Sequence, residues 1–196
     1  AIATNGSTMF VAWENQGNIV GKTVDTSLTP GTQKTLGPGT GVSVAATSSG
    51  WVAVWQSGTD VQMSRIDSSG TPGPVTKVND AAGATHPSVA AFGANVAVVW
   101  VDGGGNIVVQ RFDASGTKIA ADQTNSLQSA SLGGNQYDPS IAAGTSYFVA
   151  TWVDGGSGHV RARFLDGAGG CLYNFVTGQN GDFQVSTVDC HTRSAP

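Results

Sequence analysis

Residues 86–116, HPSVAAFGANVAVVWVDGGGNIVVQRFDASG, decide the fold. Apolar β-branched residues alternate here with small or polar ones, the period-two pattern of strands in a sheet. Three strands are predicted, at 88–92, 95–101 and 106–112. A Gly-Ala-Asn turn and an Asp-Gly-Gly-Gly-Asn turn separate them, and Asp-Ala-Ser-Gly follows the third. Glycine and asparagine stand where tight hairpins demand positive φ.

Working outward, the same unit recurs along the chain. The Trp that closes the second strand reappears as Trp13, Trp55, Trp100 and Trp152, at intervals of 42, 45 and 52 residues. A small-residue strand precedes each one: AIAT, VSVAA, PSVAA and PSIAA. An Asp follows 12, 12, 13 and 14 residues later, at Asp25, Asp67, Asp113 and Asp166. The third strands match too, as MSRID, VQRFD and ARFLD, with TVD in the divergent first copy. A repeat of roughly 45 residues holding three or four strands has the size of a β-propeller blade. An all-β propeller of four blades is therefore predicted, with blades near 1–39, 40–83, 84–136 and 137–196 in a single domain. Candidate fourth strands lie at 32–36, 75–79 and 185–189, and 118–132 is ambiguous. Two closures are open: a self-closed four-bladed ring, or four blades of a larger propeller whose exposed edges invite another chain.

The pattern P-S-V-A, V-x-x-W, glycine turn, Q-R-F-D-x-x-G resembles tandem blades of large secreted bacterial surface and adhesin proteins. Residues 87–116 carry it almost whole and 139–166 nearly so, while 42–70 lacks the Pro and 1–25 keeps only the skeleton. The resemblance implies a noncatalytic surface or adhesive module, often part of a much longer chain.

Composition agrees with an extracellular β-protein. Charged residues are only 11% of the chain, Gly numbers 28, and Glu14 is the single Glu. A net charge of −4 without basic clusters argues against nucleic acid, since phosphate binding concentrates Lys and Arg. No apolar run approaches the roughly 20 residues of a membrane span. The chain opens inside a repeated strand without Met, which reads as a processed or excised segment. Cys171 and Cys190 lack zinc-site spacing, so a local disulfide is expected to clip the C-terminal extension to the fourth blade. Asn5-Gly6-Ser7 is the one glycosylation sequon.

Several residues are candidates for chemistry. The repeated Trp residues are expected to pack between blades; a glycan-binding propeller would instead present an exposed aromatic to stack on a sugar, with Trp51, outside the repeat register, Tyr137 and Tyr173 as the candidates. Arg65, Arg111 and Arg163 are read as one register of the third strands, two residues before the repeated Asp in the second and third units and three before it in the fourth; they could line an anion-binding groove, but pairing with a neighbouring Asp or lying across a blade face is the preferred reading. His86, ahead of Pro87, reads as structural. The turns at Asp102 and Asp154 offer carboxylates to Ca²⁺, but each has one where a calcium loop gathers several; turn geometry is the preferred reading, and no cofactor is expected. D-x-S-G-T at Asp67 and Asp113 is read as a carboxylate bonding its own turn. Asp60, Asp80, Asp122, Asp138 and Asp182 lie outside the repeat and show no partner, while glycoside hydrolysis needs a facing carboxylate pair. No G-x-S-x-G elbow is present. The expected function is a noncatalytic extracellular structural or adhesive module that associates with other protein chains. A glycan-binding propeller is second and a sialidase-like glycosidase third.

Overall fold

The computed structural model describes residues 1–119, 127, 134–166 and 183–184. Its strands fall into four antiparallel sheets, each built in chain order. The first holds β1 (Ile2–Thr4), β2 (Thr8–Asn15), β3 (Asn18–Asp25) and β4 (Lys34–Pro38). The second holds β5 (Thr40–Thr47), β6 (Gly50–Ser57), β7 (Asp60–Asp67) and β8 (Pro72–Lys77). The third holds β9 (Thr85–Phe92), β10 (Asn95–Val101) and β11 (Ile107–Phe112). The fourth holds β12 (Gln136–Ala143), β13 (Tyr147–Asp154), β14 (Val160–Asp166) and β15 (Phe183–Gln184). Among the described residues blade 3 has three strands, and the N–H groups of Ile119 and Leu127 bond to Arg111 O and Ile107 O of β11 at 2.9 and 2.7 Å.

The second strands are apolar on both faces because blades bury both. In β6 the run from Gly50 to Trp55 is buried without interruption, and so is Val96 to Trp100 in β10. First strands lie side by side in chain order, β1 by β5, β5 by β9 and β9 by β12. Three apolar cores fill the junctions: Phe10 and Ile19 with Trp51 and Trp55, Val52 and Val54 with Val98 and Trp100, and Val99 and Ile107 with Phe148 and Trp152. Each blade thus has a leading face toward its predecessor, which carries the repeated Trp, and a trailing face toward its successor. Among the described residues no comparable contact returns from β12–β14 to β1–β3.

Each of the first strands β5, β9 and β12 is interrupted by a register shift against its partner. The residue that absorbs it has positive φ: Gly41 (65°), His86 (54°) and Asp138 (52°). Such a bulge bends the strand and re-aims the side chains beyond it. His86 is therefore a backbone device, as its place before Pro87 suggests, and Asp138 does the same before Pro139. The fourth strands differ modestly from expectation. β4 begins two residues later than the predicted 32–36, and β8 begins three residues earlier than the predicted 75–79.

Candidate functional site

Three of the repeated Asp residues, Asp25, Asp67 and Asp113, cap their own turns. The Oδ1 atom of Asp67 accepts from Ser69 N, Ser69 Oγ and Thr71 N at 2.9, 2.6 and 2.9 Å. Asp113 repeats this with Ser115 and Thr117 at the same distances. Asp25 does so with Ser27 and Thr29 at 2.9, 2.8 and 2.9 Å. Hydrogen bonds to the ionised form hold all three carboxyls below their ordinary pKa, led by Ser69 and Ser115 for Asp67 and Asp113 and by the Thr29 N–H for Asp25.

The turns weighed for calcium are filled in the same manner. Asp102 Oδ1 accepts from Gly104 N, Asn106 N and Asn106 Nδ2 at 2.8, 2.9 and 3.1 Å. Buried Asp154 accepts from Ser157 Oγ at 2.6 Å and Gly156 N at 3.0 Å, with Arg161 3.6 Å away. The Ser157 bond leads in lowering its pKa. Among the described residues no three His, Cys, Asp or Glu side chains gather as metal ligands. Asp60 has partners after all, pairing with Lys77 at 2.8 Å and accepting from Asn79 at 3.1 Å. Asp80 pairs with Lys118 at 2.8 Å.

The three arginines do not share a register. Arg65 pairs with Val52 and Arg111 with Ala97, each three residues before the repeated Trp. In blade 4 that position, Val149, pairs with Phe164. Arg163 is one residue away, opposite Ala150, and a one-residue slip places a strand side chain on the other face. A groove of three arginines is therefore not built: Arg65 and Arg111 lie on trailing faces, and Arg163 lies on a leading face. Arg65 reaches across to blade 3, donating to Ala94 O at 3.3 Å and Asp113 O at 3.0 Å. Burial lowers the pKa of its guanidinium, and the Asp113 charge partly offsets this. Arg163 reaches back, donating to Leu127 O at 2.8 Å. Arg111 is buried.

Trp51 also departs from expectation. It is 1% exposed, packs on Phe10 with ring centroids 5.7 Å apart, and donates its Nε1–H to Ala3 O at 3.1 Å. It sits in β6 opposite Ala46, facing the small residues of blade 1's neighbouring strands, so it is a junction residue like Trp55. Tyr137 is 44% exposed, as a stacking residue must be. Tyr173, Cys171 and Cys190 lie outside the described residues, as do Asp122 and Asp182. Asn5 is exposed in the β1–β2 turn, where its Oδ1 accepts from Thr8 N at 3.1 Å.

Two grooves that share Thr47 and Ser49 open beside these groups. One of about 390 Å³ is lined by Thr47, Ser49, Arg65, Asp67 and Thr71 over the edge of Trp51. The other, about 530 Å³, runs between the first-to-second strand turns of blades 1 and 2, among Asn5, Ser7, Thr47, Ser48, Ser49 and Ser68. Hydroxyls and amides dominate it, which suits neutral polar ligands and supplies no acid or base.

One set of residues has a role that the motif did not announce. Ser43 Oγ in blade 2 accepts the N–H of Val89 in blade 3 at 3.2 Å. Ser88 Oγ in blade 3 accepts the N–H of Ile141 in blade 4 at 3.3 Å. Ser43, Ser88 and Ser140 each lie 12 residues before their Trp (55−43, 100−88, 152−140), although the repeat length varies. That invariant spacing was the available signal.

No family model matches the chain, and no curated protein matches it. Solved structures do. The structure titled "Structure of Dos1 propeller" matches with a TM-score of 0.55 and 14% identity, over 89% of this chain and 46% of that one. The SapL1 lectin in complex with alpha methyl fucoside matches at 0.53 and 16%, over 93% of this chain and 64% of that one. A GH43 endo-arabinanase from Bacillus licheniformis gives 0.46 and 13%, over 92% and 74%. The chain thus spans less than two thirds of the length of the first two. At these identities the likeness is one of fold, and with four tandem antiparallel sheets side by side, the chain is a β-propeller.

Proposed function

We propose that the chain is a noncatalytic extracellular propeller module with a structural or adhesive role, exercised by associating with other protein chains. One observation carries this reading: the repeated Asp carboxylates described here are spent on their own turns. The Asp60, Asp80 and Asp154 carboxylates likewise face a neighbouring cation. Hydrolysis of a glycoside needs one carboxyl to hold a proton at working pH while another stays ionised. The hydrogen bonds on Asp25, Asp60, Asp67, Asp113 and Asp154 favour the ionised form and hold these carboxyls below their ordinary pKa, the wrong direction for a proton donor. The low charge and glycine-rich hairpins suit an extracellular setting.

The test is an activity screen of the purified chain against aryl glycosides and sialosides. No turnover above buffer is expected, and turnover abolished by Asp67→Asn or Asp113→Asn would overturn the reading. A glycan-binding role is the second reading, favoured by the hydroxyl-lined groove at Asn5, Ser7 and Ser68. The SapL1 lectin is a sugar binder on the same fold. A glycan array separates the two, since only the second predicts a saturable hit lost in Ser49→Trp.

A further inference from the structure

We propose that Asn5 is a self-modification site: the backbone nitrogen of Gly6 attacks the Asn5 side-chain amide and converts it, through a cyclic imide, to aspartate and isoaspartate. This goes beyond the association just proposed and does not depend on it.

The sequence narrows the choice. Attack on an asparagine amide by the next backbone nitrogen is least hindered when the next residue lacks a Cβ. Only Asn5 and Asn180 precede a glycine, and Asn180 lies outside the described residues. Asn5, Gly6 and Ser7 are all exposed in the β1–β2 turn. A Cβ built on Gly6 would meet nothing within 4 Å, and its φ of 102° is one that glycine adopts freely. Turns between first and second strands stay open in flanked blades as well: Ser48 and Ser49 in blade 2 and Gly93 in blade 3 are exposed with a blade on either side. The exposure of Asn5 is thus a property of this class of turn.

The hydrogen bonds of the turn arrange both reacting groups. Asn5 Oδ1 accepts from Thr8 N at 3.1 Å. An N–H therefore already points at the oxygen that gathers negative charge when the amide carbon becomes tetrahedral. The same bond leaves Nδ2, the leaving group, to solvent. The Gly6 N–H, whose proton must depart, donates to Thr4 Oγ1 at 3.2 Å. Thr4 is exposed, so water takes that proton.

In the first step Gly6 N bonds to Asn5 Cγ and loses its proton to water. The tetrahedral carbon then expels Nδ2, which takes a proton from water and leaves as ammonia. A water molecule opens the imide. Breaking the bond from Gly6 N to Cγ gives aspartate; breaking its bond to the Asn5 main-chain carbonyl carbon gives isoaspartate. One water is consumed and one ammonia released, with no change of oxidation state. The product erases the Asn5-Gly6-Ser7 sequon, because glycosylation uses the amide nitrogen. It also places a carboxylate in the hydroxyl-lined groove of Asn5, Ser7, Ser48, Ser49 and Ser68.

Peptide mapping by mass spectrometry tests this on the full chain held at physiological pH and temperature, beside the same chain unfolded in urea. The Asn5 peptide of the folded chain should exchange NH2 for OH at least as fast as in urea, and resolve into aspartate and isoaspartate forms. Thr4→Val, which removes the acceptor of the Gly6 N–H, should react about fivefold more slowly. Gly6→Ala, whose Cβ stands beside the attacking nitrogen, should be slower by roughly tenfold or more. Circular dichroism checks that both variants fold, and comparing Gly6→Ala with wild type in urea gives the same contrast independently of the fold. A folded chain that reacts more slowly than the unfolded one overturns the proposal, because the turn then protects the amide. So does conversion to aspartate alone, or a Gly6→Ala rate equal to wild type, since either bypasses the imide. An unchanged rate in Thr4→Val overturns the arrangement assigned to the turn.

Discussion

Ser88, on the first strand of blade 3, accepts the backbone N–H of Ile141 in blade 4 at 3.3 Å, and Ser43 repeats the contact with Val89 one blade earlier. The bond satisfies an N–H that faces the preceding blade instead of its own sheet. Removing the hydroxyl leaves that donor unpaired, so Ser88→Ala is expected to cost about 1 kcal/mol, read from the urea midpoint at constant slope. Ser140→Ala, exposed at the same register of blade 4, should leave stability unchanged by the same measurement.

Arg65 clasps two carbonyls of blade 3, Ala94 O and Asp113 O. Arg65→Met keeps much of the stem and removes the charge-assisted bonds, so a loss of about 2 kcal/mol is expected. Were Arg65 a ligand group instead, the same change would leave stability alone and remove binding. Thermal unfolding and a glycan array on one preparation separate the two.

Leu28 holds φ at 62° and is 73% exposed in the turn after Asp25. The matching turns of blades 2 and 3 place Gly70 and Gly116 there, with φ of 84° and 87°. A left-handed conformation costs a non-glycine residue roughly 1–2 kcal/mol, and the exposed Leu side chain recovers little of it. Leu28→Gly should therefore raise stability by about 1 kcal/mol. Gly70→Ala should lower it by more, since its Cβ would meet Thr23 Cγ2 at 2.7 Å. Paired denaturation curves decide both.

Acid should loosen the turns together. The carboxyls of Asp25, Asp67 and Asp113 have folded pKa values below the 3.8 of the unfolded chain. Their contribution is thus present above 3.8 and is lost as pH falls through the lower folded values. Urea midpoints should stay level from neutrality down to about pH 5 and then decline. Asp113→Asn, which keeps an acceptor oxygen and cannot titrate, should flatten part of that decline.

Much of this molecule was legible in its residues because blade packing is local and periodic. The interval between tryptophans, the Asp turns and the boundaries of β10 all arise from alternation and turn chemistry. What escaped was set by register. Trp51 looked unclaimed because it fell outside the Trp series, but its position opposite Ala46 aims it into the junction with blade 1. Arg163 looked equivalent to Arg65 because both precede an Asp, but an offset of three instead of two reverses its face. The left-handed bulge at His86 and Asp138 was hinted at by the prolines next in sequence, since an X-Pro residue is restricted, though not to that conformation. The serine ladder was visible as a constant spacing, and only the fold gave it a partner.

That the chain acts by associating with other protein chains is the central claim, and the mass and shape of the purified, unreduced chain in solution test it most directly. Light scattering combined with small-angle X-ray scattering should give a particle heavier than the 19.8 kDa chain, a dimer or an open-ended polymer. A compact particle of 19.8 kDa at every concentration would contradict it.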